Sequence, residues 1–276
     1  MSHRSRMRVA TWNVNSMKAR LDRVEEWLSG AQPDVCCFQE TKLADSAFPT
    51  ERFANLGYEV AHHGDGRWNG VAIASRVGLS DVERGFTGTD APEAAERRLI
   101  SATCDGVRVM SVYVPNGRAV ESEHFEAKLD FLHRLRRHLD ATCDPRGAAV
   151  LCGDFNVAPA DIDVFDPAHF VGATHVTPEE RAALAEVMSF GLTDVFRESY
   201  PDTPRLFSWW DYRAGDFHSG RGMRIDLVLA THVLADQVSF ALVDRNARKG
   251  KQPSDHAPVL VEFRSERRDQ LGETKS

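Results

Sequence analysis

Short apolar runs recur along this chain, and what separates them changes from one pair to the next. Residues 7–13 (MRVATWN) and 34–39 (DVCCFQ) are separated by a helical stretch, whereas 98–104 (RLISATC) and 107–114 (VRVMSVYV) are joined by Asp105-Gly106 alone. A two-residue Asp-Gly joint makes a hairpin and so an antiparallel pair. A helical connection of a dozen residues or more is what a parallel pair requires. A plain doubly wound parallel sheet therefore fits poorly. Two packed mixed sheets with helices outside fit better, an α/β (α+β) sandwich.

The other elements read in the same way. Further strands are expected at 58–62, 70–75, 148–153, 206–210 (LFSWW), 223–230 (MRIDLVLA), 238–244 and 257–263. Three amphipathic helices are expected. In 15–28, Leu21, Val24, Trp27 and Leu28 share a stripe. In 122–139, Phe125, Leu129, Leu132 and Leu135 face inward. In 177–191, Thr177 is placed to cap, Pro178 to open the first turn, Glu180 to close a capping box and Gly191 to end the helix. No linker, repeat or low-complexity run interrupts the chain. The reading is one domain over residues 1–264 with a charged, fraying tail at 265–276.

The net charge of −7 taken alone argues against a nucleic-acid partner, because neutralising phosphate takes Lys and Arg. A net value is an average, however, and acids gathered at a metal site can coexist with a basic face elsewhere. No run of about 18 apolar residues exists, so no transmembrane helix is expected. The basic start MSHRSRMRVA lacks the apolar core of a secretory signal. Five cysteines without a CxxC pair read as reduced, cytoplasmic thiols, not a zinc site or disulfide framework.

The chemistry lies at the ends of the strands. Asn13 comes directly after VATW, with Asn15 beyond it. Glu40 comes after VCCFQ. Tyr113 and Asn116 end VRVMSVYVPNG. Asp154 and Asn156 end VLCGDFN, two residues apart and so on one face. Asp226 is flanked by Ile225 and Leu227 inside an apolar strand, and Asp255-His256 precedes the last strand. Each has a bland alternative. Asp154 after a glycine could be a turn former, Glu40 a surface acid, Asp226 the partner of a structural arginine, and His256 a packed histidine. The set is what argues: six segments would deliver acids, amides, a phenol and an imidazole to one edge. Asn, Glu and Asp oxygens suit Mg²⁺, with Mn²⁺ as substitute, and not zinc. A hard cation beside an Asp–His pair matches transfer of a phosphoryl group to water.

The runs TWNVNSMKARL, DVCCFQETK, WNGVAIAS, ERRLI, YVPNG, CGDFNVAP, GLTDVFR, FSWWDYR, GMRIDLVLA and PSDHAPV, in this order, resemble the exonuclease III family, the AP endonucleases of the endonuclease/exonuclease/phosphatase superfamily. The likeness runs from about Met7 to Phe263. GDFN and SDH are signals of the whole superfamily; FSWWDYR followed by RGMRIDLVLA points to the DNA-repair branch. The resemblance implies a four-layer α/β/β/α sandwich with the site at one edge of both sheets. It implies one or two metal ions, Glu40 as main ligand, and Asn13, Asp154, Asn156, Asp255 and His256 around it. Asp154 would orient and deprotonate the attacking water, and Asn156 would hold it. His256, oriented by Asp226, would donate to the phosphate. Tyr113 would contact the phosphate or assist the leaving 3′ oxygen, and Asn116 would grip a backbone phosphate. Arg118 would reach the opposite side of the duplex. Trp209, Met223 and Ile225 match positions lining the abasic pocket, although Trp209 and Trp210 can also be core aromatics. Two departures stand out: Phe125 where many relatives have Tyr, and GDGRWNG before the NGVAI strand. The pairs His62/His63 and His133/His138 are expected to have no role, the first as surface residues.

The implied activity is Mg²⁺-dependent incision of duplex DNA 5′ to abasic sites, with 3′-end processing. The nearest rival is a 3′-exonuclease/3′-phosphatase with little abasic-site incision. A non-catalytic nucleic-acid-binding regulator would be expected to have lost some of Glu40, Asp154, Asp226 or His256, and all are present. A lipid or inositol phosphatase would lack the FSWWDYR arrangement. The partner expected is duplex DNA with abasic sites or blocked 3′ ends, bound by a monomer.

Overall fold

Strands apolar on both faces need cover on both, and four layers provide it. The structure, a computed structural model, describes residues 6–87 and 97–264. The tail at 265–276 and Glu96 of ERRLI lie outside the described residues. Twelve strands are present among them: β1 (Arg6–Asn13), β2 (Val35–Gln39), β3 (Glu59–His63), β4 (Val71–Ser75), β5 (Ser80–Arg84), β6 (Leu99–Cys104), β7 (Val107–Tyr113), β8 (Ala149–Asp154), β9 (Leu192–Asp194), β10 (Asp226–Thr231), β11 (Val238–Val243) and β12 (Val259–Arg264). One six-stranded sheet runs β11-β12-β1-β2-β4-β3 and the other β5-β6-β7-β8-β10-β9. Both are mixed: β1 pairs parallel with β2 and antiparallel with β12, and β7 pairs parallel with β8 and antiparallel with β6.

Alternate side chains separate the layers. Val9, Cys37, Val109, Cys152 and Val228 meet between the sheets. Their neighbours Ala10, Trp12 and Phe38 turn outward under α1 (Met17–Ala31) and α2 (Thr50–Ala54). Val112, Leu151 and Leu227 turn outward under α3 (Glu123–Thr142) and α4 (Pro178–Met188). The capping box is formed: Thr177 Oγ1 accepts from Glu180 N at 3.1 Å and Thr177 N donates to Glu180 Oε2 at 3.1 Å. The hairpin at Asp105-Gly106 has both φ angles positive, 47° and 78°, as its turn type demands. All five cysteines are free. No helix among the described residues is long and apolar enough to cross a membrane.

Three expectations are corrected. Residues 206–210 are not a strand: Trp209 makes only isolated bridges, to Met223 and His256, because this segment crosses between the two sheets instead of joining either. The strand expected at 223–230 begins at Asp226, so Asp226 opens β10. His62 and His63 are buried, at 6% and 7% exposure, not surface residues. His62 bonds Thr41 Oγ1 at 2.8 Å, and burial pulls both imidazoles down to about 4. The polar edge strand β5 and the three-residue β9 have no counterpart in the sequence reading.

Candidate active site

Main-chain register builds the centre of the site. Across the second sheet Tyr113 of β7 pairs with Asp154 of β8, and Asp154 pairs with Asp226 of β10. Paired residues point to the same face, about 4.8 Å apart in the hydrogen-bonding direction. The chain leaves β8 through Gly153, whose φ is 154° and where a Cβ would lie 1.9 Å from Val112 O. Only glycine lets β8 lie this close to β7 there. Phe155 then points away into the core and is fully buried. The first sheet contributes Asn13 at the end of β1 and Glu40 just after β2, neighbours because Asn13 and Gln39 are register partners.

Four side-chain-bearing turns here hold left-handed backbone: Asn15 (φ 44°), Glu40 (50°), Lys42 (53°) and Asn156 (51°). Such conformations in non-glycine residues cost about 1–3 kcal/mol and persist where surroundings impose them. The surroundings are visible. Ser16 N donates to Glu40 O at 2.7 Å, and Lys42 N donates to Asn69 O at 3.0 Å. Lys128 Nζ donates to Asn156 O at 2.6 Å.

The side chains interlock. Asn13 Nδ2 donates to Glu40 Oε1 and to Asp154 Oδ2, both at 2.9 Å, fixing the two carboxylates from two sheets. Lys42 Nζ lies 3.0 Å from Glu40 Oε2. His256 Nδ1 meets Asp226 Oδ2 at 2.8 Å, and its Nε2 lies 3.7 Å from Asp154 Oδ2. Asn156 N donates to Asp154 Oδ1 at 2.9 Å, and Asn116 Nδ2 donates to Asn156 Oδ1 at 3.2 Å. Asp255 is committed on both oxygens, to Asn15 Nδ2 at 3.0 Å and Trp209 Nε1 at 3.1 Å. The Tyr113 ring lies under the Arg98 guanidinium, 4.6 Å away.

Carboxylates crowd this space. Burial pushes Asp154 up to about 7; the His256 cation opposes this, while Asp226 and Glu40 add to it. Burial works against charge on His256, but Asp226 and Asp154 outweigh it and raise the imidazole to about 10. Burial, then Glu40 and Asp154, raises Tyr113 well above its usual 10, so it is a neutral phenol. Glu40, Asp154 and His256 each present a ligand atom within 4.8 Å of the others. A buried carboxylate, Asp154, and a half-buried one, Glu40, fixed by one amide form the oxygen-rich, negatively charged donor set that a hard divalent cation takes.

Of the expected residues, the structure brings Asn13, Glu40, Tyr113, Asp154, Asn156, Asp226, Asp255 and His256 into this one network. Asn116 joins it through Asn156. Arg118 is exposed, in a groove that also contains Tyr113. Met223 and Ile225 pack in an apolar cluster with Trp209. Trp210 is fully buried in another cluster. Sequence reasoning misses Lys42, which stands within the QETK run, and Lys128. Lys128 is fully buried and bonded to Glu180. Its signal is a lysine on the stripe 125, 128, 132, 135, at the spacing of the inward-facing residues.

A family profile described as Endonuclease/Exonuclease/phosphatase family matches residues 10–256. Exodeoxyribonuclease III of Haemophilus influenzae is 36% identical over 270 residues, covering 94% of this chain and all of that protein. An AP endonuclease from Archaeoglobus fulgidus superposes with TM-score 0.89 at 39% identity, covering 93% of this chain and 99% of that one. The 3′ phosphatase NExo from Neisseria, in a structure bound to product DNA hairpin, gives TM-score 0.89 at 37% identity over 94% of this chain and all of that one. The chain thus belongs to the endonuclease/exonuclease/phosphatase family, in its exonuclease III and AP endonuclease branch, and is a hydrolase of the nuclease type.

Proposed function

We propose that this protein hydrolyses phosphodiester bonds of duplex DNA, incising 5′ to abasic sites and processing 3′ ends, with Mg²⁺ as its resident cation. One observation supports the reading: the row Tyr113–Asp154–Asp226, closed by His256, brings carboxylates, an imidazole and a phenol side by side. Glu40 would hold the cation, with Asp154, Asn13, Asn156 and Asp255 around it. The cation would supply charge neutralisation at the phosphate. Asp154, near neutral in its proton affinity, takes the proton of the attacking water. Water adds to phosphorus and the bond to the 3′ oxygen breaks, leaving a 3′-hydroxyl. His256, held charged by Asp226, donates from Nε2 to a phosphate oxygen. Tyr113, a neutral phenol, donates toward the leaving 3′ oxygen. Asn116 and Asn156 fix the phosphate between them, and Arg118 contacts the duplex backbone. We place the enzyme in the cytoplasm, where its free thiols stay reduced, as a monomer whose working unit spans residues 1–264.

The deciding assay uses an end-labelled duplex with one tetrahydrofuran abasic analogue, in Mg²⁺ and in EDTA. Metal-dependent cutting on the 5′ side is the expected result; no cutting of this duplex or of a recessed 3′ end would overturn the reading. One observation favours a second reading, 3′-end processing with little abasic-site incision. Met223 and Ile225, matched to the abasic pocket, are only 2% and 3% exposed, packed with Ala158, Val164, Phe170 and Val176. A closed pocket admits a bare sugar only by opening. Relative kcat/KM on the abasic duplex and on a 3′-phosphate duplex separates the two. Trp209→Ala should weaken abasic cutting more than 3′-phosphate removal; equal losses would make Trp209 a packing residue.

A further inference from the structure

Trp68 is the most exposed aromatic among the described residues, at 71%. A tryptophan left this open calls for a reason, because its ring carries one of the largest apolar surfaces of any side chain. Its mount is rigid. Asp65 bridges Ala44 on one side. On the other, Lys42 N donates to Asn69 O at 3.0 Å, Thr41 N to Gly70 O at 3.1 Å, and Gly70 N to Arg97 O at 2.9 Å. The turn is thus clamped to the segment that bears Glu40, and Trp68 lines a groove of about 720 Å³ that also contains Tyr113 and Asn116. Charge in this groove runs against the chain average: Arg97, Arg98, Arg118 and Arg134 outnumber Asp65 and Asp130, although the chain carries −7. A cationic groove with an exposed ring on a fixed mount is the arrangement on which a nucleic-acid strand lays its backbone and stacks a base.

Resting on the nuclease reading above, we propose that Trp68 is a stacking platform for an unpaired or terminal base of the DNA strand lying in this groove. A base inside an intact duplex has both faces covered by neighbours, so the ring can be satisfied only at an end or a frayed step. Trp68 would therefore direct the enzyme to strand ends.

The test measures binding in EDTA to two duplexes of equal length. One has a frayed 3′ end; the other is closed by hairpins at both ends. Trp68→Ala should weaken binding to the frayed duplex about 5-fold or more, the range of one base–aromatic stack, and to the closed duplex less than about 2-fold. Trp68→Phe should recover most of the loss, and the salt dependence should keep its slope because no phosphate contact is removed. Equal losses on both duplexes, no loss, or a changed salt slope would overturn the proposal. Wild-type cutting in Mg²⁺ is measured alongside. Cutting with an indifferent Trp68→Ala refutes the platform alone, whereas no cutting and no binding refutes the nuclease reading and the platform with it.

Discussion

The charge cluster around Arg224 and the one at the active site are built on opposite terms. Beneath the Met223–Ile225 segment, Arg224 bonds Asp163 at 2.7 and 3.1 Å and pairs with Asp194 at 2.7 Å, while Arg197 bonds Asp163 at 2.5 Å. Two guanidiniums meet two carboxylates. Burial opposes the charge on Arg224, yet Asp194 and Asp163 hold it more firmly protonated than usual. Burial likewise works against ionised Asp163, but Arg224 and Arg197 pull it below its normal range. At the active site, Glu40, Asp154, Asp226 and Asp255 face Lys42 and His256, and Asp154 is driven up to about 7. The balanced cluster is finished; the unbalanced one is short of positive charge. Structural ion pairs satisfy themselves, whereas a working site keeps a deficit for what it binds.

The sharpest way to break this contrast is to remove one charge from the centre of each cluster. Asp154→Asn should lower turnover by about 10³-fold or more while leaving duplex binding and thermal stability near wild type; a mild loss would remove Asp154 from the chemistry. Arg224→Met should do the reverse. It strands the buried carboxylate of Asp194 and leaves Asp163 to Arg197 alone, at about 3–5 kcal/mol of stability, read from urea unfolding, and little change would mean the cluster is not needed for folding. Mg²⁺ should raise the melting temperature of the wild type, by up to about 3 kcal/mol of stabilisation at a hundredfold excess over Kd, and should leave Glu40→Gln almost unmoved. An equal shift in both would place the cation elsewhere. The smallest effect concerns acid. Asp163 is depressed below 3.8 in the folded chain, so its contribution is present above that value and is lost as pH falls through the folded one. Asp163→Asn should be less stable at neutral pH but lose less between about pH 5 and pH 2; an unchanged acid limb would separate Asp163 from it.

The unfinished cluster is the more legible in sequence. Its members stand at strand ends, where GDFN, QETK and SDH break an apolar run with polar residues of recognisable chemistry. The finished cluster is invisible there, because Arg224, Arg197 and Asp163 look like ordinary surface charges until the chain brings their partners from distant segments. Burial of His62 escapes for the same reason: its partner Thr41 comes from another segment. LFSWW reads as a strand because apolar aromatics favour strands, yet tertiary context decides where such a segment goes. Mixed sheets are readable from connections alone; the order of strands within them is not, since register is set by long-range pairing.

The row Tyr113–Asp154–Asp226 is spaced by peptide hydrogen bonds between three neighbouring strands. Its members can separate only if the sheet itself comes apart. Catalytic geometry in this protein should consequently not soften gradually with heat or denaturant. It should persist nearly unchanged up to the cooperative transition and vanish within it, so that the amides of β7, β8 and β10 exchange with solvent over the same interval in which activity disappears.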